Sequence, residues 1–87
     1  MIAQTKYPRV SSVKPLAGKR LFVTFSNGAE KVYDCAPLLA DEAFAALKDD
    51  AFFRGVEADP HGYGVAWDDE IDLAESELWI NGETADE

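Results

Sequence analysis

Residues 65–79, VAWDDEIDLAESELW, set six carboxylates between two tryptophans. Carboxylates at that density can hold a divalent cation, start a helix, or face a partner. Asp68, Glu70 and Asp72 alternate, so in an extended chain they share a face at about 6–7 Å per pair. A hard cation needs several oxygens at about 2.0–2.6 Å from one point. Counted from Asp68, a calcium loop of the EF-hand kind needs Gly at its sixth position and Glu at its twelfth. Leu73 and Trp79 stand there instead. A magnesium site using one or two of these carboxylates is the enzyme alternative.

Helix initiation fits better. Asp72 and Glu75 have the spacing of an N-cap and N3 pair, with Asp68, Asp69 and Glu70 adding negative charge ahead of the helix. Leu73 and Leu78 are then expected to turn inward, Trp79 and Ile80 to close over a sheet, and residues 81–83 (NGE) to stop the helix. Asp68, Asp69, Glu70 and Glu77 stay free for solvent or a partner.

Nucleophilic and acid–base chemistry finds no support elsewhere. His61 is the one histidine and sits between Pro60 and Gly62, the composition of a turn tip. Cys35 is the one cysteine, without a neighbour to activate it and without a bridging partner. Gly55, Gly62 and Gly64 lack the lysine and helix start of a phosphate loop. No catalytic residue, cofactor or metal is expected.

The elements that would position any site follow from hydrophobic periodicity. In RLFVTFSNGAEKVYD, Asn27-Gly28 separates two alternating runs, the pattern of a hairpin with a two-residue turn. That turn pairs Phe25 with Glu30, Val23 with Val32 and Leu21 with Asp34. Leu21, Val23, Phe25 and Val32 then face the core, and Phe22 and Tyr33 form a pair on the outer face. RVSSVKPL reads as a further strand with a bulge or an edge position, since Val10 and Val13 break alternation. Ala40, Ala43, Phe44 and Leu47 make a helical stripe, capped by Asp41 and ending near Lys48. Phe52 and Phe53 add another turn. Residues 56–58 and 63–67 read as strands joined by the turn at residues 59–62.

The expected fold is therefore α+β. It is a small, mostly antiparallel sheet of about five strands with one main helix and a short C-terminal helix. A single domain is expected over residues 8–82, with residues 1–7 and 83–87 as loose ends.

Net charge is −9, unevenly spread. Residues 1–54 hold eight basic and six acidic residues, whereas residues 55–87 hold eleven acidic residues and neither Lys nor Arg. Such a surface repels the phosphate backbone, so direct nucleic-acid binding is not expected, and it attracts a basic protein. No apolar run is long enough for a membrane span or a signal segment, which leads to the expectation of a cytoplasmic protein.

The ordered set LFVTFSNG, VYD, PLL, FAALKD with Phe53, and WDDEIDL with LW resembles the bacterial domain-of-unknown-function family 2442 over about residues 8–82. That resemblance implies a small α+β domain. Some members carry an appended helix-turn-helix, and others are encoded beside a small protein, which implies a toxin–antitoxin-like or partner-binding role. No helix-turn-helix is expected in this chain. It also carries Asp68 and Glu70 where relatives often have proline and glycine. The resemblance supplies no catalytic residues.

The leading expectation is a non-enzymatic interaction module that docks on a small, basic partner protein. Its candidate contacts are Phe22, Tyr33, Asp68, Asp69, Glu70 and Glu77. The alternatives are a divalent-metal enzyme and a regulatory domain acting with a separate DNA-binding chain. A homodimer formed through a sheet edge is also open.

Overall fold

The computed structural model describes residues 7–85. The fold is α+β, with two antiparallel sheets and short helices between and beside them. Strands β1 (Val10–Leu16), β2 (Arg20–Phe25), β3 (Glu30–Asp34) and β7 (Glu83–Thr84) form a sheet in the order β1-β2-β3-β7. Strands β4 (Glu57–Ala58), β5 (Gly64–Ala66) and β6 (Asp72–Ala74) form the second, in that order. The two sheets meet where β1 contacts β4 and β5.

The hairpin β2–β3 is present, but its register differs from expectation by one residue. The Phe25 N–H donates to the Ala29 carbonyl at 2.8 Å and the Gly28 N–H to the Phe25 carbonyl at 2.9 Å. The loop is thus Ser26-Asn27-Gly28, three residues rather than two, and Gly28 takes φ +90° where an L side chain is disfavoured. Asn27 Oδ1 accepts the Ala29 N–H at 3.0 Å and tightens the turn. Leu21 therefore pairs with Tyr33, Phe22 with Val32 and Thr24 with Glu30. A shift of one residue turns every β3 side chain to the opposite face. Tyr33 goes into the core at 4 % exposure, and Val32 goes outward beside Phe22.

Strand β1 carries the expected bulge, between Val10 and Ser12. Asp41 does cap the segment that follows, accepting the Ala43 N–H at 2.9 Å. The expected main α-helix is absent, however. Two 3-10 helices, Ala36–Ala40 and Glu42–Lys48, stand there, and only Leu47 of the apolar stripe is buried. Ala40 and Ala43 are too small to drive a longer buried face. Helix α1 (Asp50–Phe53) seats Phe53 at 0 % exposure.

The longest α-helix is α2 (Glu75–Asn81), which contacts β3, β5 and β6 and so bridges both sheets. It starts two residues later than the capping-box spacing suggests. Asp72 lies in β6 opposite Ala66, and Ala74 is the N-cap without a side-chain bond. Strand pairing claims Asp72 before the helix can, and the Glu75 N–H donates instead to the Tyr63 carbonyl at 2.9 Å. Leu78 is buried and Trp79 meets Phe25 edge-on at 5.1 Å, as a closing aromatic should. Ile80 points outward, at 60 % exposure.

Glu83 and Thr84, expected in a loose end, are instead strand β7, paired with Val32 and Lys31. The expectations for residues 1–6 and 86–87 lie outside the described residues. The core joins Leu21, Val23 and Phe25 of β2 to Leu47, Phe53, Val65 and Leu78. Full burial of side chains of this size contributes about 1.5–3 kcal/mol each.

Candidate functional site

The six carboxylates of residues 65–79 do not act as a group. Asp68 Oδ1 accepts the N–H groups of Glu70 and Ile71, each at 2.9 Å, and the Trp67 N–H donates to the Ile71 carbonyl at 2.9 Å. Asp68 is the closing residue of the β5–β6 loop. Asp69 and Glu70 are exposed at its tip, and Asp72 is exposed on β6. Glu77 points back across the molecule, its Oε2 accepting the Tyr33 hydroxyl proton at 2.7 Å. Among the described residues no three His, Cys, Asp or Glu side chains converge as a cation site would need.

The Tyr33–Glu77 bond ties β3 to α2. Burial pushes the Tyr33 phenol pKa up, and the hydrogen bond and negative charge of Glu77 push it further. Next along the chain, Cys35 is fully buried, and burial with the nearby Asp34 charge raises its thiol to about 12. A thiol so protonated is a packing group, not a nucleophile.

At the other turn, Asp59 Oδ2 accepts the His61 N–H at 2.8 Å and the Tyr63 N–H at 3.3 Å, which lowers the Asp59 pKa. His61 is exposed and stacks on Tyr63 with ring centres 5.9 Å apart, and the Arg9 guanidinium lies 4.5 Å over the Tyr63 ring. Arg9 Nη1 donates to the His61 carbonyl at 2.8 Å, so this cluster fixes the turn against β1.

Phe22 and Tyr33 lie on opposite faces of the sheet. The outer face is instead centred on Phe22 and Val32, directly paired and half-buried. The register of all four strands lays out that face as three rows. The central row reads Lys14, Phe22, Val32, Glu83; one flank reads Leu16, Arg20, Asp34; the other reads Ser12, Thr24, Glu30. The apolar residues packed on the core include Val13 and Trp79 but not Leu16, Phe22 or Val32. Helices α1 and α2 and the 3-10 helix Glu42–Lys48 contribute their buried residues to the opposite, core side. Among the described residues, Lys14, Arg20, Glu30, Asp34 and Glu83 form no ion pair.

Sequence reasoning found Phe22 and missed Val32, Leu16 and the charges around them. A usable signal existed. Val32 sits between Glu30 and Asp34 in the alternation of β3, so turning Val32 inward would bring two carboxylates toward the core. Lys31 and Tyr33 tolerate the inward side, because each has a long apolar body and a polar tip. Lys31 Nζ lies 4.1 Å from the Trp79 ring centre and donates to the Trp79 carbonyl at 2.6 Å.

No helix among the described residues is long and apolar enough to cross a membrane. No curated protein and no solved structure matches the chain. The family model described as "Protein of unknown function (DUF2442)" matches residues 10–83, a span from the first strand of the larger sheet into its last, and the chain belongs to that family.

Proposed function

We propose that this chain is a non-enzymatic protein-interaction module whose contact surface is the outer face of its four-stranded sheet. One observation carries the reading. Phe22 and Val32 sit side by side at the centre of a face on which no described helix or strand packs, while the helices bury their apolar residues on the other side. An aromatic anchor inside a polar and charged surround is the usual anatomy of a protein interface. The exposed Asp69 and Glu70 belong to the β5–β6 loop of the smaller sheet and take no part in this anchor.

The test is a photo-crosslinking amino acid placed at position 22 and, as a control, at the exposed Ala45. A discrete intermolecular adduct from position 22 and none from position 45 is the expected result. Absence of any intermolecular adduct from position 22 in folded protein overturns the reading.

A further inference from the structure

We propose that the occupant of this face is a second copy of the chain, stacked sheet on sheet about a two-fold axis parallel to the strands. The inference rests on the reading of that face as the contact surface, and it comes from how charge is distributed around Phe22 and Val32. The β1–β2 half carries Lys14 and Arg20. The β3–β7 half carries Glu30, Asp34 and Glu83.

A uniformly basic partner would meet Lys14 and Arg20 as like charges. A uniformly acidic one would meet Glu30, Asp34 and Glu83. The surface that answers both halves has the same division reversed. Another copy provides it when turned over about an axis running along the strands between β2 and β3. That operation exchanges the first and last strands of the sheet and leaves the rows in place. Lys14 then faces Glu83 of the second copy, Phe22 faces its Val32, and Arg20 faces its Asp34. Each contact occurs twice, as an isologous interface requires. Sheets packed face to face lie about 10 Å apart with strands within about 30° of alignment, a gap that facing side chains span.

Edge pairing of the larger sheet, another route to a dimer, is disfavoured. The free edge of β1 carries Lys14, Pro15 and a bulge, and Pro15 offers no N–H to an incoming strand. The opposite edge, β7, has two residues.

Sedimentation equilibrium over a wide range of protein concentration tests the pairing, with Lys14→Glu, Glu83→Lys and the double variant compared with the parent. The parent should dimerise reversibly. Each single reversal sets like charges opposite one another twice and should raise Kd by about tenfold or more. The double variant re-forms the pair with its signs exchanged and should return Kd to within about threefold of the parent. Circular dichroism verifies that each variant is folded. If a reversal at position 83 disturbs β7, Phe22→Glu serves as the second variant and should likewise raise Kd by about tenfold or more.

A parent that stays monomeric throughout overturns the proposal. A dimer indifferent to all the variants, or one that the double variant fails to restore, does the same. The broader interaction reading fails separately, by the absence of an adduct at position 22. A monomer whose position 22 captures a different protein would leave that reading intact and remove only the self-pairing.

Discussion

The two faces of the four-stranded sheet are built from alternate residues of the same strands, yet they are under different constraints. On the inner face Leu21, Val23 and Phe25 are all but inaccessible, and Tyr33 reaches past them to Glu77 on α2. On the outer face Phe22 and Val32 are similar in apolar character but keep part of their surface in water, with charged neighbours on both sides. The difference shows that hydrophobicity alone does not place a residue in this core. What decides is the parity set by the strand register, and that register goes with a three-residue turn.

The largest expected effect breaks the inner face. Phe25→Ala removes the ring that Trp79 meets edge-on, at a site with 1 % exposure. Truncating a buried phenylalanine costs about 3–5 kcal/mol. Phe22→Ala on the outer face should cost clearly less in the isolated chain, because its ring keeps part of its surface in water. Urea denaturation at protein concentrations too low for association measures both. Equal losses at positions 22 and 25 would end the distinction between the faces.

A second test concerns the polar tip of the inner face. Tyr33→Phe keeps the ring but leaves Glu77 without its 2.7 Å donor, and losing a hydrogen bond to a charged group costs about 1.5–3 kcal/mol, with the lower end expected for this half-buried glutamate. The same face predicts sensitivity to alkali. The thiol and phenol ionise at about 9 and about 10 when free, and higher in the fold, where Cys35 reaches about 12. The unfolded chain therefore loses these protons first. Stability should be complete below about pH 9 and fall as pH rises from there, by up to about 1.4 kcal/mol per pH unit for each group. Tyr33→Phe and Cys35→Ala should each flatten that slope, and a slope unchanged in the double variant would refute the assignment.

How much of this was legible beforehand depended on whether the signal was local. The β2–β3 hairpin, the β1 bulge, the Asp41 cap and burial of Phe53 all follow from short-range turn chemistry and periodicity. The register did not, because Asn27-Gly28 serves equally as a complete two-residue turn and as the end of a three-residue one. Choosing between them requires knowing that α2 brings Glu77 and Trp79 to the inner face, where they meet Tyr33 and Lys31. That is a contact across more than forty residues of chain. Strand β6 was hidden for a related reason. Asp72 has the composition of a cap, and only pairing with Ala66 makes it part of a strand. The outer face was then half legible: Phe22 by alternation, Val32 only once the register is known.

The smallest effect sharpens the comparison at its source. Gly28 holds φ +90°, and a Cβ added there meets no atom within 4 Å. Gly28→Ala therefore tests backbone conformation without collision, and an L residue in that region costs about 1–2 kcal/mol. Gly64, at φ +151°, is the contrasting case: a Cβ there would strike the Leu73 carbonyl oxygen of the adjoining strand. If core contacts rather than the turn hold the parity of β3, Gly28→Ala should lower stability by that modest amount and leave Tyr33 inside, with the tryptophan near-ultraviolet dichroism unchanged. The core contacts of Tyr33 and Lys31 hold the register once it is formed. Should the substitution instead let β3 slip to the two-residue pairing, Val32 and its flanking acids would turn inward. The Trp79 signal would then change and the loss would exceed the backbone cost severalfold, showing that the turn alone maintains the division between the two faces.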